Sequence, residues 1–409
     1  MITPEQLDGI QRRGARFAWL MKELEQSTAQ DTKAQQQELE QLQSQLNVAN
    51  KKIPTLSPEE KTALIAEMKP ISDQVATIKA AIASAKPTPR LPNIPKADVP
   101  VGDSDEQNVV LREVGEKRSI AHPKQYLELT EEQGLIDIQR ASKVSGSRFG
   151  YLLGGIAEME FALVQYAQSV LLDEGFTLVV PPVMVKEENM EAMGYLNGGG
   201  EDETYHFAKD KLYLVGTSEQ SVGPMHRDEI FRQEDLPKRY LSFSTCFRRE
   251  AGSYGKDTKG IIRVHQFDKM EMFSFCLPEH SDQEHEFFLK MEEQLMQGLE
   301  LPYRVVQLCT GDLSWPSART YDIETWMPGQ GVYRETHSSS TTTDFQSAPL
   351  NIRVQRDNGT RELVHMLNGT AFAIGRMLIA IIENYQQPDG TIRIPDVLQP
   401  WMRGRQHLG

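Results

Sequence analysis

The sequence predicts an α+β protein in which an antiparallel helical hairpin precedes a domain built on an antiparallel sheet. Two features of the 409 residues carry that expectation. The first 86 residues are rich in Gln, Glu, Lys, Ala and Leu, almost free of aromatics, and show heptad-like apolar spacing. Beyond residue 105, short β-rich runs succeed one another without regular βαβ alternation, which favours α+β over a parallel sheet. No Gly-x-Gly-x-x-Gly or Walker loop occurs, so a nucleotide site of Rossmann or P-loop type is not expected.

In the second half of the hairpin, Leu64, Met68, Ile71, Val75, Ile78 and Ile82 are spaced 4, 3, 4, 3, 4, the a/d seam of a coiled coil. Pro70 falls inside the seam and predicts a local kink. In the first half Ile10, Phe17 and Leu24 repeat at seven, and Leu39, Leu42 and Leu46 resume in a shifted phase. The polar residues 26–37 between them should pack loosely. Ser57-Pro58-Glu59-Glu60 reads as a helix start. A second arm of about 30 residues would reach ~45 Å. Periodicity alone also admits a dimerisation coiled coil. The Pro-rich residues 86–100 end the hairpin as a stiff linker, giving an arm over 1–86, a linker over 87–105 and a main domain over 106–409. In that domain residues 150–175 read as an amphipathic helix and 176–185 as a strand interrupted by prolines. Strands are expected over 212–215, 240–248, 262–275, 303–308 and 321–326, and a buried helix over the apolar residues 375–384.

Composition narrows the function. No apolar run approaches the ~18 residues of a membrane span, and the polar amino terminus is no signal peptide, so a cytoplasmic protein without membrane contact is expected. Cys246, Cys276 and Cys309 are too few and too far apart for a disulfide framework or a paired-thiol zinc site. A net charge of −14 argues against indiscriminate nucleic-acid binding. The charge is uneven, however: residues 1–90 hold 12 Lys+Arg against 11 Asp+Glu, so a nucleic acid would have to be met locally.

Residues 246–273 read CFRREAGSYGKDTKGIIRVHQFDKMEMF. They suggest two strands joined by a Gly-rich loop, residues 251–260, which contains Lys256 and Lys259. Arg248 stands near the end of the first strand and Arg263 on the return. Such a loop suits a polyphosphate, although these residues alone also fit a solvated basic turn.

This segment closely resembles motif 2 of the class II aminoacyl-tRNA synthetases, and of the seryl-tRNA synthetases in particular. Residues 170–185, with Pro181-Pro182, are similar to motif 1, and residues 366–384, with Asn368-Gly369-Thr370 and Gly375-Arg376, to motif 3. Thr217-Ser218-Glu219 resembles the family's Thr-x-Glu loop, and residues 335–338 its metal- and ATP-binding turn. The Pro-rich linker and the hairpin resemble the family's linker and long arm.

The resemblance implies a reaction in which ATP activates L-serine and the seryl group passes to tRNA(Ser), and also to tRNA(Sec). An ionised carboxylate needs no general base; it needs an α-phosphate held in line and its growing charge stabilised. Arg248 and Arg376 are the implied catalytic residues. Arg248 would hold the α-phosphate and the serine carboxylate, and Arg376 the γ-phosphate with Arg263. Glu250 would read the adenine amino group and Phe267 would stack on the base. Arg249, Thr336 and His337 complete the implied ATP site, and Glu335 and Ser338 would ligate Mg²⁺. Thr217 and Glu219 would meet the serine ammonium, and Glu271 and Thr370 its hydroxyl, with Ser218 also in the implied serine site. The family's homodimer would form through motif 1. The arm would hold the long variable arm of the tRNA, with Arg12, Arg13, Arg16, Lys22, Lys51, Lys52, Lys61 and Lys69 as scattered phosphate contacts.

Departures from the family pattern are local. Gly216 and Gln220 stand where Pro and Val are usual, and Gly216 is expected to loosen a turn that proline would stiffen. Thr336 and His337 replace Ile and Ser, Ser339 replaces a common Cys, and Ala348-Pro349 stands where two arginines often follow Asp-Phe-Gln. His337 is expected to be a neutral neighbour of the site. The amino terminus is expected to be shorter than the family's. The zinc-dependent form of the family is not expected, given the Cys spacing and the presence of Thr217 and Glu271. Two rivals follow from other readings: an amino acid:carrier-protein ligase, which should lack the arm, and a non-catalytic paralogue binding RNA or a partner, which should lack Arg248, Arg376 or the metal ligands.

Overall fold

An eight-stranded sheet organises the larger part of the chain. The computed structural model describes residues 3–14, 17–27, 32–52, 54, 57–84, 90–251 and 259–409. Arg16, linker residues 86–89 and Lys256 of the Gly-rich loop lie outside them, as do the side chains of Leu24, Lys51, Lys52 and Ile82. The chain divides into two compact units, Met1–Pro4 with Arg16–Leu91 and Glu5–Ala15 with Pro92–Gly409.

The first unit holds the hairpin. After α1 (Pro4–Arg12), the chain forms α2 (Ala18–Ser27), α3 (Thr32–Lys52) and α4 (Pro58–Ser84). The expected start of α4 is a capping box: the Ser57 N–H donates to Glu60 Oε2 at 2.9 Å and the Glu60 N–H to Ser57 Oγ at 3.4 Å. One helix assignment continues through Pro70. Val75 and Ile78 of the seam are buried, Gln74 reaches Glu38 across the pair at 3.3 Å, and α3 and α4 run antiparallel.

The strands of the large sheet are β1 (Val109–Val114), β2 (Thr177–Val179), β3 (Lys238–Phe247), β4 (Gln266–Cys276), β5 (Tyr303–Gln307), β6 (Arg319–Met327), β7 (Val332–Thr343) and β8 (His365–Ala373). Their order is β1-β5-β6-β7-β8-β4-β3-β2, antiparallel except for β2 beside β3. Helices α5 (Gly155–Leu171), α6 (Ser281–Gly298) and α7 (Ile374–Asn384) share one hydrophobic core with the sheet. In α7, nine of eleven residues are buried, so it reads as apolar on every side.

Two sequence expectations change here. Residues 335–338 are not a turn but part of the twelve-residue β7. Their Ser- and Thr-rich composition hid the strand, because both faces of a central strand can carry small hydroxyl side chains whose polarity masks the period of two. The strand expected over 176–185 is two: β2 joins the large sheet, and Met184–Lys186 pairs with Leu212–Leu214 in a three-stranded sheet. Pro181 and Pro182 fall between them and lack the N–H that a ladder needs.

The turn after α1 also differs from expectation. Glu5–Ala15 belongs to the second unit, although the sequence assigns it to the hairpin. Arg12 donates to the carbonyls of Pro95 and Lys96 at 3.0 and 2.9 Å, and Arg13 is wholly buried. Neither guanidinium is therefore the exposed phosphate contact that charge counting suggested. Lys22 and Lys69 are exposed and Lys61 is half-buried.

Candidate active site

The sheet face opposite α6 forms the floor of a cavity of about 630 Å³. Alternation places Lys269 and Glu271 of β4 on this face, and Phe267 continues the row. From β8 come Asn368 and Thr370, and from β7 come Ser338 and Ser340. Thr370 stands directly across the ladder from Glu271.

Two irregularities adjust what faces the cavity. Between β4 and β8 the register shifts at Met270/Glu271, leaving Ala371 of β8 as an extra residue, which turns Phe372 to the packed side while Thr370 faces the cavity. In β7, Glu335 pairs with Glu324 and His337 with Ile323, so Thr336 is an extra residue. Glu335 and Ser338, three residues apart, would otherwise point to opposite faces. The bulge brings both to the cavity side. His337 is left on the other side, buried and edge-on to Phe372 with ring centres 5.8 Å apart. Burial pushes its imidazole down to about 3, so it is neutral.

Arg248 follows β3 and lines the cavity. Its Nε donates to the Gly216 carbonyl at 3.1 Å, and its guanidinium lies 5.3 Å from the Phe267 ring centre. Gly216 does not loosen the turn as expected. Its N–H donates to Gln220 Oε1 at 2.8 Å, and proline would have no N–H for that bond. Arg376, in the first turn of α7, donates to the Glu335 carbonyl and reaches Glu335 Oε1, both at 3.1 Å. Burial raises the Glu335 pKa, but Arg376 and then Arg248 outweigh that and hold the carboxyl below its ordinary value. Glu250, at φ 53°, lies between Arg263 at 3.7 Å and Arg148 at 4.0 Å.

The other end of the cavity is acidic and closed. Lys269 and Glu271 form an ion pair, and both are buried. Glu219 is 2% exposed and accepts from the Tyr195 hydroxyl. Burial, reinforced by Glu271, raises the Glu219 carboxyl to about 7. The hydroxyl of Thr217 is buried with no hydrogen-bond partner among the described residues. Asp322 pairs with Ser338 across β6 and β7 and accepts a hydrogen bond from it, while its Oδ1 has no partner among the described residues.

Of the residues named from the sequence, Thr217, Glu219, Arg248, Glu250, Arg263, Phe267, Glu271, Glu335, Thr336, Ser338, Thr370 and Arg376 line this cavity or the recess beside it. Three do not. Ser218 is buried against Ser242 with the hydroxyls 2.6 Å apart, Arg249 lies over Tyr205, and His337 faces the core. The sequence reading missed Tyr195, Lys269 and Asp322. Lys269 had a legible signal, its period-two relation to Glu271 and Phe267. Tyr195 had none, since it meets Glu219 from 24 residues away.

Comparisons with known proteins agree on one family. The model of the tRNA synthetase class II core domain (G, H, P, S and T) matches residues 204–385, and that of the seryl-tRNA synthetase N-terminal domain matches residues 5–95. The serine–tRNA ligase of Mycolicibacterium smegmatis is 45% identical over 367 residues, 88% of this chain and 87% of that protein. The chain belongs to the seryl-tRNA synthetase family. The serine–tRNA ligase of Cutibacterium acnes is 44% identical over 90% of this chain and 88% of its own. The crystal structure of seryl-tRNA synthetase from Pyrococcus horikoshii complexed with ATP superposes with a TM-score of 0.84 at 37% identity, covering 99% of this chain and 96% of that one. Family membership carries the class II fold expected from the sequence, with its antiparallel sheet and helical arm. Ala348 and Pro349, where the family often has arginines, are exposed and line neither this cavity nor its recess. No helix among the described residues is long and apolar enough to cross a membrane.

Proposed function

We propose that the protein condenses L-serine with ATP to seryl-adenylate and passes the seryl group to the terminal ribose 3′-hydroxyl of tRNA(Ser). The observation that supports serine is the acidic end of the cavity, where Lys269 pairs with the buried Glu271 beside Thr370. A buried carboxylate accepts from a substrate hydroxyl, and a substrate without one leaves it unpaired. Alanine should therefore be rejected strongly. The serine ammonium lies between Glu219 and the partnerless Thr217 hydroxyl. Rejection of threonine would have to come from steric exclusion of its methyl.

The serine carboxylate attacks the α-phosphorus and pyrophosphate leaves. Arg248 neutralises the charge that gathers on the α-phosphate and aligns the carboxylate. Arg376, with Arg263, holds the γ-phosphate. Glu250 reads the adenine amino group and Phe267 stacks on the base. Glu335, Ser338 and Asp322 offer only oxygen donors, one of them a carboxylate oxygen without a partner among the described residues, which fits a hard divalent cation. Among the described residues no group of three or more His, Cys, Asp or Glu could hold a metal ion. Glu335 and Ser338 would hold Mg²⁺, which would supply positive charge against the phosphates. In the second step the tRNA hydroxyl attacks the adenylate carbonyl and AMP leaves. The arm holds tRNA(Ser), and tRNA(Sec) where that species exists, and the protein acts as a cytoplasmic homodimer.

Serine-dependent exchange of pyrophosphate into ATP, repeated with alanine, threonine and glycine, tests the proposal. Exchange with serine alone is expected, together with charging of tRNA(Ser). Absence of exchange with serine overturns the assignment, and exchange without charging points to a carrier-protein ligase.

A further inference from the structure

One wall of the cavity is Leu313–Ala318, an irregular segment between β5 and β6. Ser314 and Ser317 line the cavity from it, with their hydroxyls 2.6 Å apart. A segment outside any ladder must find donors for its carbonyls elsewhere. Here six consecutive carbonyls accept from three residues distant in sequence, with one local bond besides, from the Ser317 N–H to Ser314 O at 3.2 Å. Arg13 Nη1 donates to Leu313 O and Ser314 O at 3.2 and 3.1 Å, and its Nη2 to Ser317 O at 2.7 Å. Asn93 donates its backbone N–H to Trp315 O at 2.9 Å and its Nδ2 to Pro316 O at 2.8 Å. The Lys96 N–H donates to Ala318 O at 2.9 Å. Arg13 also binds the Asn93 carbonyl through Nε and Nη2, at 3.1 and 2.8 Å. A planar guanidinium can bridge these acceptors at fixed angles; an ammonium cannot.

The segment also touches the amino-acid end of the cavity. A Cβ added at Gly198 would lie 2.5 Å from the Trp315 ring, and one at Gly194 would lie 3.6 Å from Pro316. Between these two glycines stands Tyr195, whose hydroxyl donates to Glu219. Gly14, at φ 71°, lets the chain leave Arg13 alongside Asp103, whose Oδ1 would be 2.1 Å from a Cβ.

We propose that Arg13 is a positioning residue for amino-acid activation: it fixes the Leu313–Ser317 wall and, through Trp315 and Pro316, the Tyr195 hydroxyl that holds Glu219. This rests on the serine-activating reading above. Arg13 touches no substrate. Its effect falls on the amino-acid end of the cavity and spares the recess of Phe267 and Arg376.

The test is Arg13→Lys in the full chain, with pyrophosphate exchange giving KM for serine and for ATP separately and thermal unfolding giving stability. The KM for serine should rise about tenfold, the equivalent of one displaced buried hydrogen bond, while that for ATP stays within about twofold. A folded variant with unchanged serine KM overturns the proposal, and so does a loss that affects both substrates alike. If the variant does not fold, hydrogen exchange of the unmodified protein decides: serine with ATP should slow the amides of Asn93 and Lys96, which donate into this wall, and unchanged exchange there overturns the proposal. Failure of the unmodified protein to show any serine-dependent exchange would instead refute the assigned reaction.

Discussion

Arg13 and Arg248 are both arginines that a charge count assigns to phosphates, and the fold treats them oppositely. Arg13 is 0% exposed and spends its donors on backbone carbonyls. Arg248 is tied by one hydrogen bond to Gly216 O and leaves the rest of its fork facing the cavity. The difference lies in what surrounds each side chain. Carbonyls without ladder partners consume the Arg13 guanidinium, whereas the backbone around Arg248 claims its Nε, for Gly216 O. An arginine keeps donors for a ligand only where the backbone around it leaves some unclaimed.

The comparison can be broken most directly at Arg248. Arg248→Ala should lower serine-dependent exchange by about 10³-fold or more, because it removes the charge that stabilises the reacting phosphate. Its unfolding free energy should change by less than about 1 kcal/mol, as expected for a side chain facing open space. A large loss of stability would show that Arg248 is structural in the manner of Arg13.

Gln220 offers an intermediate case, since it holds the Gly216 peptide on which Arg248 rests. Gln220→Val leaves the buried Gly216 N–H unpaired at a cost of about 1–3 kcal/mol, and kcat/KM should fall about tenfold. A Cβ at Gly216 meets nothing closer than 3.5 Å. Adding Gly216→Pro removes the N–H itself and should recover most of both losses. A double-mutant cycle read in exchange and in thermal unfolding measures that coupling, and additive losses would show that the pair does not act as a unit.

An effect no larger than that of Gln220→Val is expected from pH. The Glu219 carboxyl is raised to about 7, so its neutral form dominates below that pH and is lost as pH rises through it. In the proposed reaction the serine ammonium binds the carboxylate form. The KM for serine should therefore rise by about tenfold between pH 8 and pH 6, following the falling ionised fraction. Glu219→Gln should raise that KM and flatten its pH profile, and a profile that persists in the variant would place the titration elsewhere.

How much of this was legible in the sequence depended on how local the determinant was. The residues of β3 and β4 flank one Gly-rich loop, so motif and strand period together placed Arg248, Phe267 and Glu271 on one face. The capping box of α4 was legible for the same reason, since its partners are three residues apart. The bulge in β7 was not, because a one-residue shift depends on the partner strand and leaves no mark in the composition of residues 335–338. Arg13 was the least legible. Its carbonyl partners lie 80 and up to 304 residues away, and a carbonyl belongs to every residue type.

The extra residue at Thr336 has a consequence for how this strand can vary in length. The hairpin turn between β6 and β7 can gain or lose residues while the pairing on either side stays in place. A change between Glu335 and Ser338 acts on the bulge itself. Removing Thr336 would leave regular pairing, with Glu335 and Ser338 two residues apart and still on one face of the sheet. Their shared face survives with the bulge or with one residue fewer, and is lost only if the present spacing is forced into regular pairing.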